Sequence, residues 1–254
     1  MSNHLLKSIS YSAYRDYKNC PKLFYYRKVL KLKLPEDPLQ LVFGKSLHLA
    51  LELQVKEGKD PVKVFQQDFT RDKLLSLDLV KFLEYEAEGI RLLTFWKEKR
   101  KEIMKPLGKV SEAEIAFSIK VGQDPLTKLM LDIPPINGVV DFVLDGTNGI
   151  GDYKTSSKKY TQEIADTSDQ PTFYYLWHLI ERGELPKAFY YIVFRKNIKK
   201  EPIQVVSTTR TLTQVSNLLA DIQSVIHSIN NREFSLRHTE GFCDCYKYED
   251  MLKV

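Results

Sequence analysis

Acidic and basic side chains interrupt two apolar, strand-like segments in the middle of the sequence. Asp141 lies within residues 136–146, and Asp152 lies within residues 149–156 and is followed two positions later by Lys154. A carboxylate in a buried strand is costly unless it is paired or bound to a cation. Two such carboxylates on adjacent strands offer the hard oxygen ligands that suit Mg²⁺ or Mn²⁺. Asp152 and Lys154 point to the same face of their strand, so the lysine is placed to orient water and to stabilise developing negative charge.

Further motifs surround this pattern, and each has an ordinary structural explanation when it is taken alone. His48 follows Gly44 in G-K-S-L-H and is also consistent with a buried histidine on an apolar helix face. Gln170 and Tyr174 in Q-P-T-F-Y share a face if both are helical, but a capping glutamine and a core tyrosine would show the same pattern. The D-x-K tripeptide is common, and an Asp–Lys ion pair on an exposed sheet face would explain it.

The order of the motifs is more informative than any one of them. Five occur in sequence along the chain: Y-K-N-C-P, G-K-S-L-H, G-V-V-D, D-Y-K and Q-P-T-F-Y. Their order and spacing resemble the PD-(D/E)XK nuclease superfamily, and more specifically its RecB-type exonuclease branch. The resemblance spans about residues 10–174. It implies a restriction-endonuclease-like core that hydrolyses phosphodiester bonds with the help of one or two divalent metal ions.

The resemblance also implies a role for each motif residue. The metal ions, Mg²⁺ or Mn²⁺, would be held by four groups: His48, Asp141, Asp152 and the backbone carbonyl of Tyr153. Lys154 would position the attacking water, and Gln170 and Tyr174 would orient the lysine or the DNA near the scissile strand. The strand before G-V-V-D often carries an acid in these nucleases. Glu112 and Glu114 are both available there, and the sequence does not choose between them or exclude an exposed, ionised pair.

The cysteines depart from the family pattern. The four-cysteine CRISPR-associated exonucleases, which the chain also resembles, bind a [4Fe–4S] cluster through one N-terminal and three C-terminal cysteines. This chain has only Cys20, Cys243 and Cys245, and the last two are one residue apart. A four-thiolate cluster therefore lacks a ligand. We expect no iron-sulfur cluster and a vestigial site whose ends still pack together, with substitution by His238 as the alternative.

The N-terminal 33 residues are strongly basic and rich in tyrosine. They contain eight Lys or Arg and five Tyr, but only one acid. Cations interleaved with aromatic rings suit a nucleic-acid strand, because cations meet phosphates and rings stack on bases. The candidate contacts are Arg15, Lys18, Lys22, Arg27 and Lys28. A solvated helix with a tyrosine-rich core face explains the same residues.

The hydrophobic periodicity predicts elements that would position these residues. Helices are predicted at residues 10–32 with a break at Pro21, and at 44–58, 61–75, 78–105, 168–182 and 212–230. Strands are predicted at residues 110–120, 136–146, 149–156, 188–196 and 203–210, with a hairpin turn at 147–149. This order predicts an α/β or α+β fold with a mixed central sheet flanked by helices. We expect a helical N-terminal section at 1–105 that carries His48, a nuclease core at 106–232, and a tail at 233–254 with Cys243 and Cys245.

Composition is ordinary for a globular protein and excludes several classes. The net charge is +5, 43% of the 254 residues are apolar and 28% are charged. No apolar run approaches the ~20 residues of a membrane span, and the first residues lack the apolar core of a signal peptide. The odd cysteine count speaks against a secreted disulfide framework. We therefore expect a cytoplasmic protein with no membrane partner.

Taken together, the sequence predicts a metal-dependent DNA exonuclease of repair, recombination or replication that acts on single- or double-stranded ends. The chain has no phosphate-binding Gly-rich Lys-Ser/Thr loop of its own, so any motor would be a separate helicase. The sequence leaves open whether the chain works alone, as a ring-like oligomer, or beside a helicase, single-strand-binding protein or recombination protein. The main alternative is a catalytically weak or inactive nucleic-acid-binding module of the same fold within a larger complex. A sequence-specific endonuclease is less consistent with His48 and the Gln170/Tyr174 pair.

Overall fold

A computed structural model of the protein describes residues 4–34, 38–71, 78–145, 149–236 and 243–252. Its α-helices are α1 (Tyr11–Asn19), α2 (Pro21–Phe24), α3 (Leu39–Glu57), α4 (Pro61–Asp68), α5 (Leu79–Met104), α6 (Gln162–Thr167), α7 (Asp169–Arg182), α8 (Leu212–Asn230) and α9 (Cys245–Leu252). A π-helical turn, Tyr25–Val29, follows α2. Its strands are β1 (Ile9–Ser10), β2 (Val110–Ile119), β3 (Ile136–Leu144), β4 (Gly149–Ser156), β5 (Ala188–Arg195) and β6 (Ile203–Thr208).

All six strands form one mixed sheet. The order is β1-β3-β4-β5-β6. β1 and β4 pair with opposite ends of one edge of β3, and β2 pairs along the other edge of β3. β1 runs parallel to β3 and β4 runs parallel to β5, whereas β2–β3, β3–β4 and β5–β6 are antiparallel. The prediction of an α/β fold with a mixed central sheet is confirmed.

Helices cover both faces of this sheet, which explains why its central strands are apolar on both sides. Successive side chains of β5 enter the cores on opposite faces of the sheet. Tyr191 and Val193 join the core that includes side chains of α1, α7 and α8, whereas Ile192 and Phe194 join the core beneath α3, α4 and α5. Successive strand residues point to opposite faces, so β4 beside β5 can present one side chain to each helical layer.

The N-terminal helices differ in detail from the prediction. The break at Pro21 is present, because Cys20 is extended and the proline occupies the first turn of α2. The predicted start of the next helix at Gly44 was wrong. α3 already begins at Leu39, since Val42 and Phe43 are buried in the helix–sheet core and hold the glycine inside the helix. Residues 72–75 of the predicted helix and most of the predicted turn lie outside the described residues.

Several short elements were not predicted. β1 has only two residues, and α6 and α9 have six and eight. Such lengths are too short for a periodic pattern to be recognised. Within the part of the chain that the structure describes, no helix combines the length and apolarity needed to cross a bilayer.

Candidate active site

The site lies where β3 and β4 separate. Their ladder has three residue pairs and ends at Phe142 opposite Gly151. One step further on, the Tyr153 backbone N–H donates to the Asp141 side-chain Oδ2 at 2.7 Å. The carboxylate thus takes the place of a backbone partner, and the two strands open into a fork with Asp141 between them.

The fork requires a glycine at its base. A Cβ atom on Gly151 would lie 2.2 Å from the ring of Phe142 and 2.3 Å from the carbonyl oxygen of Tyr190. Neither backbone nor ring can give way by that much in a packed sheet. Gly151 therefore lets β3, β4 and β5 approach closely just before Asp152.

Three candidate metal ligands converge beside the fork. One ligand atom each of His48, Glu114 and Asp141 lies within 4.8 Å of the other two. His48 projects from α3, which packs on β2 and β4, and its Nδ1 lies 3.2 Å from Asp141 Oδ2. In the β2–β3 register, Glu114 lies between the Ala113–Phe142 and Ile115–Val140 pairs and so stands opposite Asp141.

The two glutamates of β2 lie in different surroundings. Glu112 is at the surface, where its carboxylate lies 2.7 Å from Arg182 Nη2. Glu114 instead lines a cavity of about 570 Å³ together with His48 and Asp141. The backbone of Glu114 has φ +50°, a conformation that costs a non-glycine residue of order 1–3 kcal/mol and is concentrated at functional sites.

The three groups of this cluster strongly influence one another's protonation. Burial, followed by the charge of Asp141, raises the pKa of Glu114 to about 7. Burial lowers the pKa of His48, but the hydrogen bond to Asp141 and the nearby carboxylates outweigh it and raise this pKa to about 9. A divalent ion would replace the bound protons and relieve the repulsion between the carboxylates. Carboxylate oxygens with one imidazole are a fitting donor set for such an ion.

A second cluster lies on the neighbouring strand. Lys154 Nζ is 2.7 Å from Asp152 Oδ2, and Gln170 Nε2 donates to Asp152 Oδ1 at 2.7 Å and to the Tyr174 hydroxyl at 3.3 Å. Burial, followed by the charge of Asp141, raises the pKa of Asp152. Burial lowers the pKa of Lys154, but the charge and hydrogen bond of the adjacent Asp152 outweigh burial. The pKa of Lys154 therefore lies above its usual value, and the lysine stays charged.

Both clusters lie at the fork, but the predicted metal ligands are split between them: His48 and Asp141 belong to the first cluster and Asp152 belongs to the second. Asp152 is not among the three ligand atoms that converge on one point, because its carboxylate is directed to Lys154 and Gln170. Asp141 acts on Asp152 through its charge. Tyr153 supplies its amide to Asp141, and metal binding by the Tyr153 carbonyl and by Asp152 stays a prediction.

The basic N-terminal residues are more neutralised than their sequence indicates. Lys18 Nζ lies 3.0 Å from Asp221 Oδ2, Lys22 pairs with Glu249, and Arg27 Nη1 lies 3.7 Å from Asp16 Oδ1. The guanidinium of Arg15 stands over the ring of Tyr11 at 5.7 Å, and Lys28 is half-buried on the π-helical turn. Two of these acids come from C-terminal helices, so a count within the first 33 residues could not include them.

One buried residue beside the site was missed by sequence reasoning. Arg210 is 6% exposed and donates to five acceptors: Thr172 Oγ1, Thr208 Oγ1, and the carbonyls of Thr209, Ala165 and Ser168. Ser168 is the N-cap of α7, the helix that carries Gln170. Arg210 therefore fastens the start of α7. No local pattern signals this, because its partners are distributed over more than 40 residues.

The sequence matches one family of known proteins, and a solved structure shares the fold. The sequence model of the PD-(D/E)XK nuclease superfamily matches residues 8–248. A solved structure from Eubacterium rectale, named as a candidate exonuclease, aligns with a TM-score of 0.57 at 16% identity and covers 95% of this chain and 88% of that one. The structure of SSO0001 aligns with a TM-score of 0.35 at 10% identity, covering 81% and 80%. No curated protein sequence matches this chain.

The family match covers nearly the whole chain, so the protein belongs to the PD-(D/E)XK nuclease superfamily. Members of this superfamily generally use divalent metal ions, and the His48, Glu114 and Asp141 cluster is consistent with that chemistry. A nuclease fold also implies a nucleic-acid substrate.

Proposed function

We propose that this protein is a Mg²⁺- or Mn²⁺-dependent DNA exonuclease of the RecB type. The observation that carries the proposal is the fork between β3 and β4. It places Asp141, a member of the three-ligand cluster, beside the strand that carries the Asp152–Lys154 pair. A site that can hold an ion next to a cation that handles water suits phosphodiester hydrolysis.

The metal ligands in this proposal are His48, Glu114 and Asp141, joined by Asp152 and the carbonyl of Tyr153. Bound there, the ion would act as a Lewis acid on the phosphate and lower the pKa of attacking water. The hydrogen bond from the Tyr153 amide fixes one oxygen of Asp141. The rotamer of that carboxylate is thereby set before any ion arrives, which reduces the reorganisation needed on binding.

Lys154 is proposed to orient the water and to stabilise negative charge on the phosphate. Asp152 holds the ammonium group at 2.7 Å and keeps it protonated. Gln170 in turn holds the other oxygen of Asp152, so it acts as a positioning residue rather than by touching the phosphate. Tyr174 supports the amide of Gln170 from the next turn of α7.

The exonuclease assignment rests on the motif order around His48 and agrees with the name of the Eubacterium rectale structure. DNA ends, single- or double-stranded, are the proposed substrate. Basic residues on and around α1, among them the exposed Arg15, would guide the strand, with binding that weakens as salt increases. Repair, recombination or replication is the proposed setting, with a helicase, single-strand-binding protein or recombination protein as a separate partner.

The test is degradation of end-labelled linear single- and double-stranded DNA beside a closed circle, with Mg²⁺, Mn²⁺ or EDTA. We expect metal-dependent loss of linear DNA only. Asp152→Ala and Lys154→Ala should abolish it, as should Glu114→Gln. Glu112→Gln and Lys159→Ala are matched controls, because Glu112 pairs with Arg182 and Lys159 is exposed.

Two results would contradict the proposal. Cleavage of the closed circle would indicate an endonuclease. Tight DNA binding without cleavage under any metal condition would favour the alternative, a non-catalytic nucleic-acid-binding module of the same fold.

A further inference from the structure

All three cysteines of the chain lie close together in space, although they come from opposite ends of the sequence. Cys20 follows α1, whereas Cys243 and Cys245 lie near the other end of the chain. Their Sγ atoms nevertheless all lie within 4.8 Å of one another. Each is a free thiol; Cys20 and Cys245 are buried and Cys243 is half-buried. Neither the nuclease chemistry nor a disulfide accounts for this convergence.

The thiols are held by packed elements on both sides. Cys20 is the N-cap of α2, and its Sγ accepts from the Leu23 backbone N–H at 3.4 Å. Cys245 is the first residue of α9. Between these elements, the rings of Tyr26 and Tyr248 stack at 5.9 Å, and Arg27 Nε donates to the Tyr248 hydroxyl at 3.0 Å. The cluster is therefore pre-assembled rather than dependent on a loop folding over it.

A four-thiolate iron-sulfur cluster does not fit these residues. The chain contains no fourth cysteine, and His238 lies outside the described residues. The thiolate ligands of a cubane iron-sulfur cluster also lie farther from one another than the thiolate ligands of a single metal ion. Three thiols within 4.8 Å of one another match the closer spacing around a single ion better.

We propose that Cys20, Cys243 and Cys245 form a binding site for one soft divalent cation of the zinc class, completed by a non-thiolate fourth ligand. Zn–S bonds of about 2.3 Å in a tetrahedron place thiolates about 3.8 Å apart, so only a small contraction of the observed cluster is needed. Thiolate ligands select soft ions over Mg²⁺ or Mn²⁺. The bound ion would join α9 to the α1–α2 boundary and so fix the C-terminal helix against the basic N-terminal section.

The surroundings hold the two ends of the chain together at this site. Lys22 and Arg27 lie on the elements that surround the cluster, and both bind residues of α9: Lys22 pairs with Glu249, and Arg27 donates to the Tyr248 hydroxyl.

The test uses the full chain, purified under anaerobic, reducing conditions and titrated with Co²⁺ as a spectroscopic probe for zinc. We expect one equivalent of Co²⁺ to produce the near-ultraviolet thiolate-to-cobalt charge-transfer band, and Zn²⁺ to displace it. Cys20→Ser, Cys243→Ser and Cys245→Ser should each weaken binding by more than about 100-fold, because even outer-shell changes cost about 10–100-fold. Zn²⁺ should also slow the reaction of all three thiols with a thiol reagent.

Two matched variants separate this site from its surroundings. Tyr246→Phe changes an exposed ring on α9 and should leave the band intact. His48→Ala removes a ligand from the proposed catalytic cluster and should also leave it intact, because that cluster contains no thiol.

Three outcomes would overturn the proposal: no charge-transfer band although three reduced thiols are titrated, an unchanged band in the serine variants, or stoichiometric iron and sulfide in the purified protein. None of these measurements uses DNA degradation. Failure of the proposed exonuclease activity can therefore be told apart from failure of the proposed metal site.

Discussion

Replacing Arg210 by methionine is the sharpest test of how the fold supports the site. The guanidinium is 6% exposed, and its five hydrogen bonds use every N–H donor that an arginine has. Its Nη2 donates to the carbonyls of Ala165 and Ser168, both at 2.8 Å. Methionine fills part of the same space but donates nothing.

The expected magnitude follows from the acceptors left behind. Two buried carbonyls that lose their donor cost about 1–3 kcal/mol each. Removing the buried charge recovers part of this, because burial also lowers the pKa of Arg210 and so disfavours its charged form. We expect a net loss of about 3 kcal/mol in the free energy of unfolding. Arg210→Lys should lose about 2 kcal/mol, because an ammonium cannot reproduce the planar fork.

The assay is urea denaturation with EDTA present, so that metal binding does not contribute. A loss of about 3 kcal/mol corresponds to a midpoint lower by about 1 M urea. Arg182→Met is the matched control, since Arg182 forms an exposed ion pair with Glu112 and should change stability by less than about 1 kcal/mol. A loss below about 1 kcal/mol for Arg210→Met would refute the view that this residue fastens the start of α7.

Three further predictions concern packing and protonation. Gly151→Ala should cost more than about 3 kcal/mol in urea unfolding, because its methyl group would lie 2.2 Å from the ring of Phe142; wild-type stability would contradict the close approach. Burial raises the pKa of Asp124, but backbone and Ser216 hydrogen bonds outweigh it and lower this pKa overall. Asp124→Asn should therefore cost about 1–3 kcal/mol at pH 7, and the difference from wild type should shrink as acid titrates the aspartate below about pH 4; a pH-independent difference would argue otherwise. Mn²⁺ affinity should rise between pH 6 and 9, since binding must displace protons from Glu114 and His48, whose pKa values are about 7 and 9; calorimetry that detects no proton release would count against this ligand set.

Sequence alone determined the features that depend on neighbouring residues. The 3–4 spacing of apolar residues located α8 at both ends, the β-branched run located β3, and the turn signal after it located β4 as the partner strand. These patterns are local because a helix or strand presents side chains at a fixed period. The ordered motifs also identified the superfamily, since each motif is confined to a few residues.

Tertiary structure alone decided which of the candidates meet. Glu114 rather than Glu112 reaches Asp141 because of the β2–β3 register and a positive φ, and Arg210 reaches α7 across strands and loops. The acids that neutralise the N-terminal cations come from α8 and α9. The cysteine-bearing ends of the chain pack together as the sequence predicted, but only the packing shows that all three thiols lie within 4.8 Å of one another. Such contacts join residues far apart in sequence, and a local pattern carries no record of the strand register and helix packing that bring them together.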